Sequence, residues 1–91
     1  MKKSYRIDFY LENLGLAIEV KRPSIRRDMK IIESEIKEDI LSYTSYPNCN
    51  SIYFLIFDPE HIIDNPQSFE EALEKKSTEN YKVKVFIRPK E

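Results

Sequence analysis

The sequence predicts an α/β fold: a mixed four-stranded sheet with helical cover, in the order ββαβαβ. Three observations carry this reading. Residues on either side of Gly15 alternate as the two arms of a hairpin, and Met29, Ile32, Ile36, Ile40 and Tyr43 form an apolar stripe spaced by three and four. Two later runs, Ser51 to Phe57 and Tyr81 to Arg88, have strand character and are separated by a second helical segment. Strands that return through helices to one sheet give the mixed arrangement.

The hairpin comes first, over residues 5 to 11 and 16 to 21. Pairing Leu11 with Leu16 across Glu12, Asn13, Leu14 and Gly15 also pairs Phe9 with Ile18 and Ile7 with Val20. Gly15 is the only glycine and sits where the loop requires positive φ. Arg22-Pro23-Ser24 breaks the second strand, and the apolar stripe then marks an amphipathic helix. Pro47-Asn48-Cys49-Asn50 is a turn cluster before Ser51 to Phe57, which is apolar almost throughout and is expected to be a central strand covered on both faces. Asp58-Pro59 closes it. A second helix starts at Asn65-Pro66, with Ser68 and Glu71 at capping-box spacing and Phe69, Ala72 and Leu73 as its apolar face. Tyr81, Val83, Val85 and Ile87 alternate with Lys82, Lys84, Phe86 and Arg88 to give the last strand, which Pro89 stops.

At 91 residues the chain reads as one domain spanning 1–91, or as the C-terminal part of a longer protein. With 41% hydrophobic and 34% charged residues it has the composition of a globular protein. Cys49 is the single cysteine, so no internal disulfide forms, and no apolar run resembles a signal peptide or membrane span. A cytoplasmic protein is expected. The net charge of −1 excludes an overall field that attracts nucleic acid, leaving local patches to do so. One patch is Lys21, Arg22, Arg26, Arg27 and Lys30, beside the hairpin; the other is Lys82, Lys84, Arg88 and Lys90. Two helices cannot cover both faces of four strands. The plan therefore calls for a second copy of the chain or an N-terminal helix on the remaining face.

The chemistry lies on the hairpin. Strand alternation puts Arg6, Asp8 and Tyr10 of one arm on the same face as Ala17, Glu19 and Lys21 of the other, with Asp8 directly across from Glu19. Two carboxylates so opposed, roughly 4.5–5.5 Å apart at Cβ, repel unless a cation lies between them. Mg²⁺ or Mn²⁺ suits such oxygen donors and commonly binds through one or two carboxylates plus substrate phosphate. Asp8 and Glu19 are the candidate ligands, with the backbone carbonyl of Val20 as a third. Lys21 is positioned to orient an attacking water and offset transition-state charge, which points to metal-assisted phosphodiester hydrolysis. Arg6 and Tyr10 share that face and, with Arg22, Arg26, Arg27 and Lys30, are candidate nucleic-acid contacts. Charged residues alternating on a strand more commonly mark a solvated face, so the trio alone is a weak signal.

Asp8 followed after ten residues by Glu19-Val20-Lys21 resembles the Asp…Glu-x-Lys signature of the PD-(D/E)XK restriction-endonuclease-like nuclease superfamily. More narrowly, Tyr5-Arg6-Ile7-Asp8-Phe9, Ala17-Ile18-Glu19-Val20-Lys21, Glu38-Asp39-Ile40 with Tyr43, Pro47-Asn48-Cys49, Phe57-Asp58-Pro59 and Asn65-Pro66 resemble the DpnII/MboI-type endonuclease domain across nearly the whole chain. The resemblance implies a restriction-endonuclease-like fold and a Mg²⁺-dependent DNA endonuclease of restriction or bacterial defence. It also implies metal ligands at Asp8 and Glu19, and a catalytic lysine at Lys21. Such cores generally open with a helix, and only Met1 to Ser4 precede the hairpin here, so the N-terminal core helix is expected to be absent. Relatives often carry a glutamine on the helix after the lysine, where this chain reads Glu35-Ile36-Lys37-Glu38.

A double-strand cutter of this size would act as a homodimer or with additional domains. Two other functions stay open: a nuclease-like domain without catalysis that serves binding or assembly in a larger protein, and a nuclease for RNA. Asp58 beside Pro59 reads as a turn former, while His61 has no partner at zinc-ligand spacing and Cys49 no adjacent base.

Overall fold

The computed structural model describes residues 8–90. Its elements are β1 (Phe9–Leu11), β2 (Leu16–Lys21), α1 (Met29–Tyr43), β3 (Ser51–Phe57), α2 (Pro66–Glu74) and β4 (Lys82–Arg88), and the strands lie side by side in chain order. The first pair is antiparallel and the other two are parallel, so the sheet is mixed and the order is ββαβαβ. The hairpin register is the one the apolar pattern specifies, with Phe9 opposite Ile18 and Leu11 opposite Leu16. Glu12–Leu14 form a 3-10 turn closed by Gly15 at φ 60, where an added Cβ would lie 3.0 Å from the Asn48 carbonyl oxygen. Residues 5–7 of the expected first strand, and with them Arg6 and the Ile7 to Val20 pair, lie outside the described residues.

Each helix starts where its side chains can cap it. Asp28 accepts from the Ile31 amide at the head of α1, and Asn65 accepts from Ser68 at the head of α2, with Pro66 in the first turn. Ile32, Ile36, Ile40 and Tyr43 of α1 are buried, as are Phe69 and Leu73 of α2. Ala72 is exposed, because the apolar face of α2 is narrower than its sequence suggests.

Stepping from β2 to β3 to β4 moves in one direction across the sheet. Parallel crossovers are almost always right-handed, and two such steps of one hand put both helices on the same face. The register identifies that face: Ala17, Ile52 and Val83 form one row and Glu19, Phe54 and Val85 the next, all of them buried. The expectation that the central strand is covered on both faces is therefore corrected. β3 is interior to the sheet, yet its alternate residues Leu55 and Phe57 are 41% and 48% exposed. They belong to an open face.

The outer edge of β4 is closed by side chains. Ile87 and Val85 donate their amides to Glu70 and Glu74 of α2 at 2.8 and 2.9 Å, and Val83 donates to Ser77 Oγ at 2.8 Å. An edge strand that would otherwise offer free N–H groups to another chain is thereby satisfied. Asp58 does similar work at the end of β3, accepting from the Ile62 and Ile63 amides at 2.9 Å each while almost fully buried, as its turn-forming reading implies. No helix among the described residues is long and apolar enough to cross a membrane.

Candidate active site

Asp8 and Glu19 meet as the hairpin register requires, and their side chains replace the backbone ladder there. The Asp8 amide donates to Glu19 Oε2 at 3.2 Å, and the Val20 amide donates to Asp8 Oδ2 at 2.8 Å. Each carboxylate thus holds the opposite strand, and Oε1 of Glu19 and Oδ1 of Asp8 accept no hydrogen bond among the described residues. Their settings differ. Asp8 is exposed at the sheet margin, whereas Glu19 is only 6% exposed beneath α1.

The charged side of the hairpin is thus the helix-covered side. Along β2, Glu19 and Lys21 are two residues apart, roughly 6.6 Å. Asp39 and Tyr43 are four apart on α1, about 6 Å along its axis. The spacings match, and each helix residue engages one strand residue. The Tyr43 hydroxyl donates to Glu19 Oε2 at 2.8 Å, and Lys21 Nζ lies 2.8 Å from Asp39 Oδ2. Glu35, one turn earlier, pairs with Lys21 at 3.5 Å and is also ion-paired to Arg27. The stretch from Glu35 to Glu38 therefore splits: Glu35 faces the lysine, Glu38 is exposed, and the buried acidic group is Asp39.

Electrostatics follow from this crowding. Burial raises the pKa of Glu19 above the ordinary carboxylate value; the bonds from Tyr43 and the Asp8 amide oppose the shift, and the charges of Asp8 and Asp39 add to it. Tyr43 is pushed up in turn, by burial and then by Glu19, so its hydroxyl remains a donor.

Lys21 and Arg22, adjacent in the first basic patch, part to opposite faces of the sheet. Arg22 follows Lys21 onto the other side of the sheet, its guanidinium 5.1 Å from the Phe57 ring centre, while Lys21 stays turned towards α1. Arg27 is tied to Glu35 and to the Arg22 carbonyl; Arg26 and Lys30 are exposed. Tyr10 staples the hairpin to the loop before β3, donating to the Asn48 carbonyl at 2.8 Å. Cys49 is buried against Tyr81, and His61 stands in a loop.

Against known proteins, the family model DpnII-MboI, a restriction endonuclease family, matches residues 1–90. The chain belongs to the DpnII-MboI restriction endonuclease family. No curated protein and no solved structure matched it. DpnII-MboI membership supports a DNA-cleaving nuclease in general terms, and restriction endonucleases generally use divalent metal ions.

The residues present can be tested against such an ion. No group of three or more His, Cys, Asp or Glu side chains among the described residues forms a metal cluster. Asp8 and Glu19 nonetheless offer two hard oxygen donors across one rung, each with an oxygen not used in hydrogen bonding. Two carboxylates are what Mg²⁺ commonly takes from a protein when substrate phosphate and water complete its shell. The donor set fits. Sequence reasoning matched Tyr43 with Asp39 to the family pattern but favoured a core role for it; the signal it did not use was the match between four-residue helical spacing and two-residue strand spacing.

Proposed function

We propose that this member of the DpnII-MboI family is a Mg²⁺- or Mn²⁺-dependent endonuclease that hydrolyses DNA phosphodiesters in restriction or bacterial defence. Asp8, Glu19 and the Val20 carbonyl would hold the ion, and Lys21 is the catalytic lysine. The observation that carries the reading is the cross-bonding of Asp8 and Glu19 with Lys21 on the same face, inside a family-wide match. A bound divalent cation would supply charge stabilisation to the phosphate and lower the pKa of a water.

The chain's own residues do the rest. The Asp8 and Val20 amides fix the two carboxylates, so little reorganisation remains when phosphate arrives. Asp39 and Glu35 keep Lys21 positioned, and its ammonium offsets charge that grows on the phosphate oxygens. Tyr43 holds one oxygen of Glu19 and leaves the other for the ion.

The test is nicking of supercoiled plasmid by the purified chain with Mg²⁺, Mn²⁺ or EDTA, beside Lys21→Ala and Asp8→Asn. Metal-dependent nicking that both variants lose supports the assignment. Cleavage unaffected by either variant would refute it, and cleavage of single-stranded RNA but not plasmid would change the substrate.

A further inference from the structure

We infer that the open face of the sheet is a docking surface for an amphipathic helix whose apolar stripe is flanked by acidic residues. This rests on the face opposite the active-site side chains and is independent of the nuclease assignment.

Its centre is apolar and wide. Phe9, Val20, Leu55 and Phe57 are 58%, 46%, 41% and 48% exposed, and they lie on neighbouring strands on one face. Soluble monomers seldom leave an apolar patch of this breadth uncovered. Four strands set about 4.8 Å apart span roughly 14–19 Å, the length of about ten to twelve residues of α-helix.

Charge selects the occupant. The strand residues on this face include Lys82, Lys84 and Arg88, with Arg22 over Phe57, and none is acidic. Two copies packed face to face would bring these cations together with no acidic strand residue in either patch to offset them, Glu70 of α2 being already paired with Arg88 and Lys90, which disfavours self-association. Single-stranded nucleic acid would satisfy the cations but needs open ring faces for stacking. The Arg22 and Arg88 guanidinium groups lie 5.1 and 5.8 Å from the ring centres of Phe57 and Phe86, Tyr53 meets Phe86 edge-on at 5.7 Å, and Ile18, Val20 and Leu55 fill the face beside them with aliphatic surface. Arginines seated on rings can still take carboxylates through their N–H groups, as Arg88 does with Glu70 of α2 at 3.5 Å. An apolar helix face against the aliphatic centre, with glutamates or aspartates towards β4, satisfies both halves of the surface.

The experiment uses the full chain and two synthetic helical peptides of about 14 residues. Both carry leucine at heptad a, d and e positions; one has glutamate on its flanks and the other lysine. Backbone amide shifts of the ¹⁵N-labelled chain are followed as each is added. The expected result is saturable binding of the glutamate peptide, with shifts confined to the open-face residues of β2, β3 and β4. Lys84→Glu with Arg88→Glu should weaken it at least tenfold, as should Leu55→Glu, an exposed site whose change leaves the core intact.

Equal binding of the lysine peptide, or no binding of either, would overturn the proposal. So would a single-stranded oligonucleotide that shifts the same residues, or a dimer by sedimentation that Leu55→Glu dissolves.

Discussion

The hydroxyl of Tyr43 donates to Oε2 of Glu19 at 2.8 Å, a bond from the last turn of α1 to a buried carboxyl in the middle of β2. It ties α1 to β2, and under the proposed function it also holds a metal ligand. Tyr43→Phe keeps the ring in the core and removes the hydroxyl donor, while Oε2 still accepts from the Asp8 amide at 3.2 Å, so the fold should survive with a loss of about 1–3 kcal/mol, the worth of one hydrogen bond to a carboxyl group. Because that bond lowers the Glu19 pKa, its loss raises it further. If ionised Glu19 is required, the acid limb of the nicking profile should move to higher pH, with a larger deficit at pH 6 than at pH 8. Equal deficits at both pH values would show that Tyr43 acts through packing alone.

Glu19→Gln separates stability from function. A carboxyl whose folded pKa lies above its unfolded value stabilises the fold in its protonated form. That contribution is complete below the unfolded pKa and lost as pH rises through the folded one. Glutamine retains an acceptor for Tyr43 without the charge. The variant should therefore melt higher than the parent at pH 7 in EDTA, with the difference vanishing below about pH 4. For a domain of this size each ~1 kcal/mol corresponds to roughly 4–8 °C. Millimolar Mg²⁺ should stabilise the parent and leave the variant unchanged, and plasmid nicking should be abolished. Calorimetry across pH, with and without Mg²⁺, checks all three.

Legibility followed from how local each feature is. The hairpin register was readable because Leu11, Leu16, Phe9 and Ile18 admit only one pairing once Gly15 closes the loop, and α1 matched its apolar stripe. The face that would be covered was harder. Glu19 and Lys21 looked like a solvated row, yet they share a face with Phe54 and Ile56, and two same-handed crossovers bring both helices over it. Pattern along one strand could not reveal that; the direction of strand addition could. Arg22 crossing to the other face while Lys21 turns inwards is likewise simple alternation, which parts two cations that are neighbours in sequence.

Lys21 and Asp39 form an ion pair with both side chains only 12% exposed, 2.8 Å apart. Removing one partner of a buried pair strands the other's charge, a loss of about 3–5 kcal/mol at full burial. Asp39→Asn should accordingly destabilise by about 2–4 kcal/mol, somewhat moderated because Glu35 remains beside the lysine at 3.5 Å. Lys21→Met takes from Asp39 the ammonium it is paired with. The double variant Lys21→Met, Asp39→Asn should lose less than the sum of the two, with a coupling of about 1–3 kcal/mol by urea denaturation. Strict additivity would mean that the pair contributes nothing to the fold.

The edge of β4 gives a prediction that does not depend on catalysis. Val83, Val85 and Ile87 send their amides to Ser77, Glu74 and Glu70, so three consecutive outward N–H groups are each held by a different side chain. Glu74→Ala removes one acceptor and should accelerate hydrogen exchange at Val85 by at least tenfold, while Val83 and Ile87 change less. Glu70→Ala should do the same at Ile87, and each substitution should cost about 1–2 kcal/mol. Freed of both carboxylates, the strand presents adjacent unpaired donors, and an edge of that kind invites pairing with another chain. The double variant should aggregate at concentrations where the parent stays monodisperse by light scattering, whereas Glu71→Ala, on the exposed side of the same helix, should not. If Val85 and Ile87 exchange at parental rates in the single variants, the side-chain bonds are not what protects the edge.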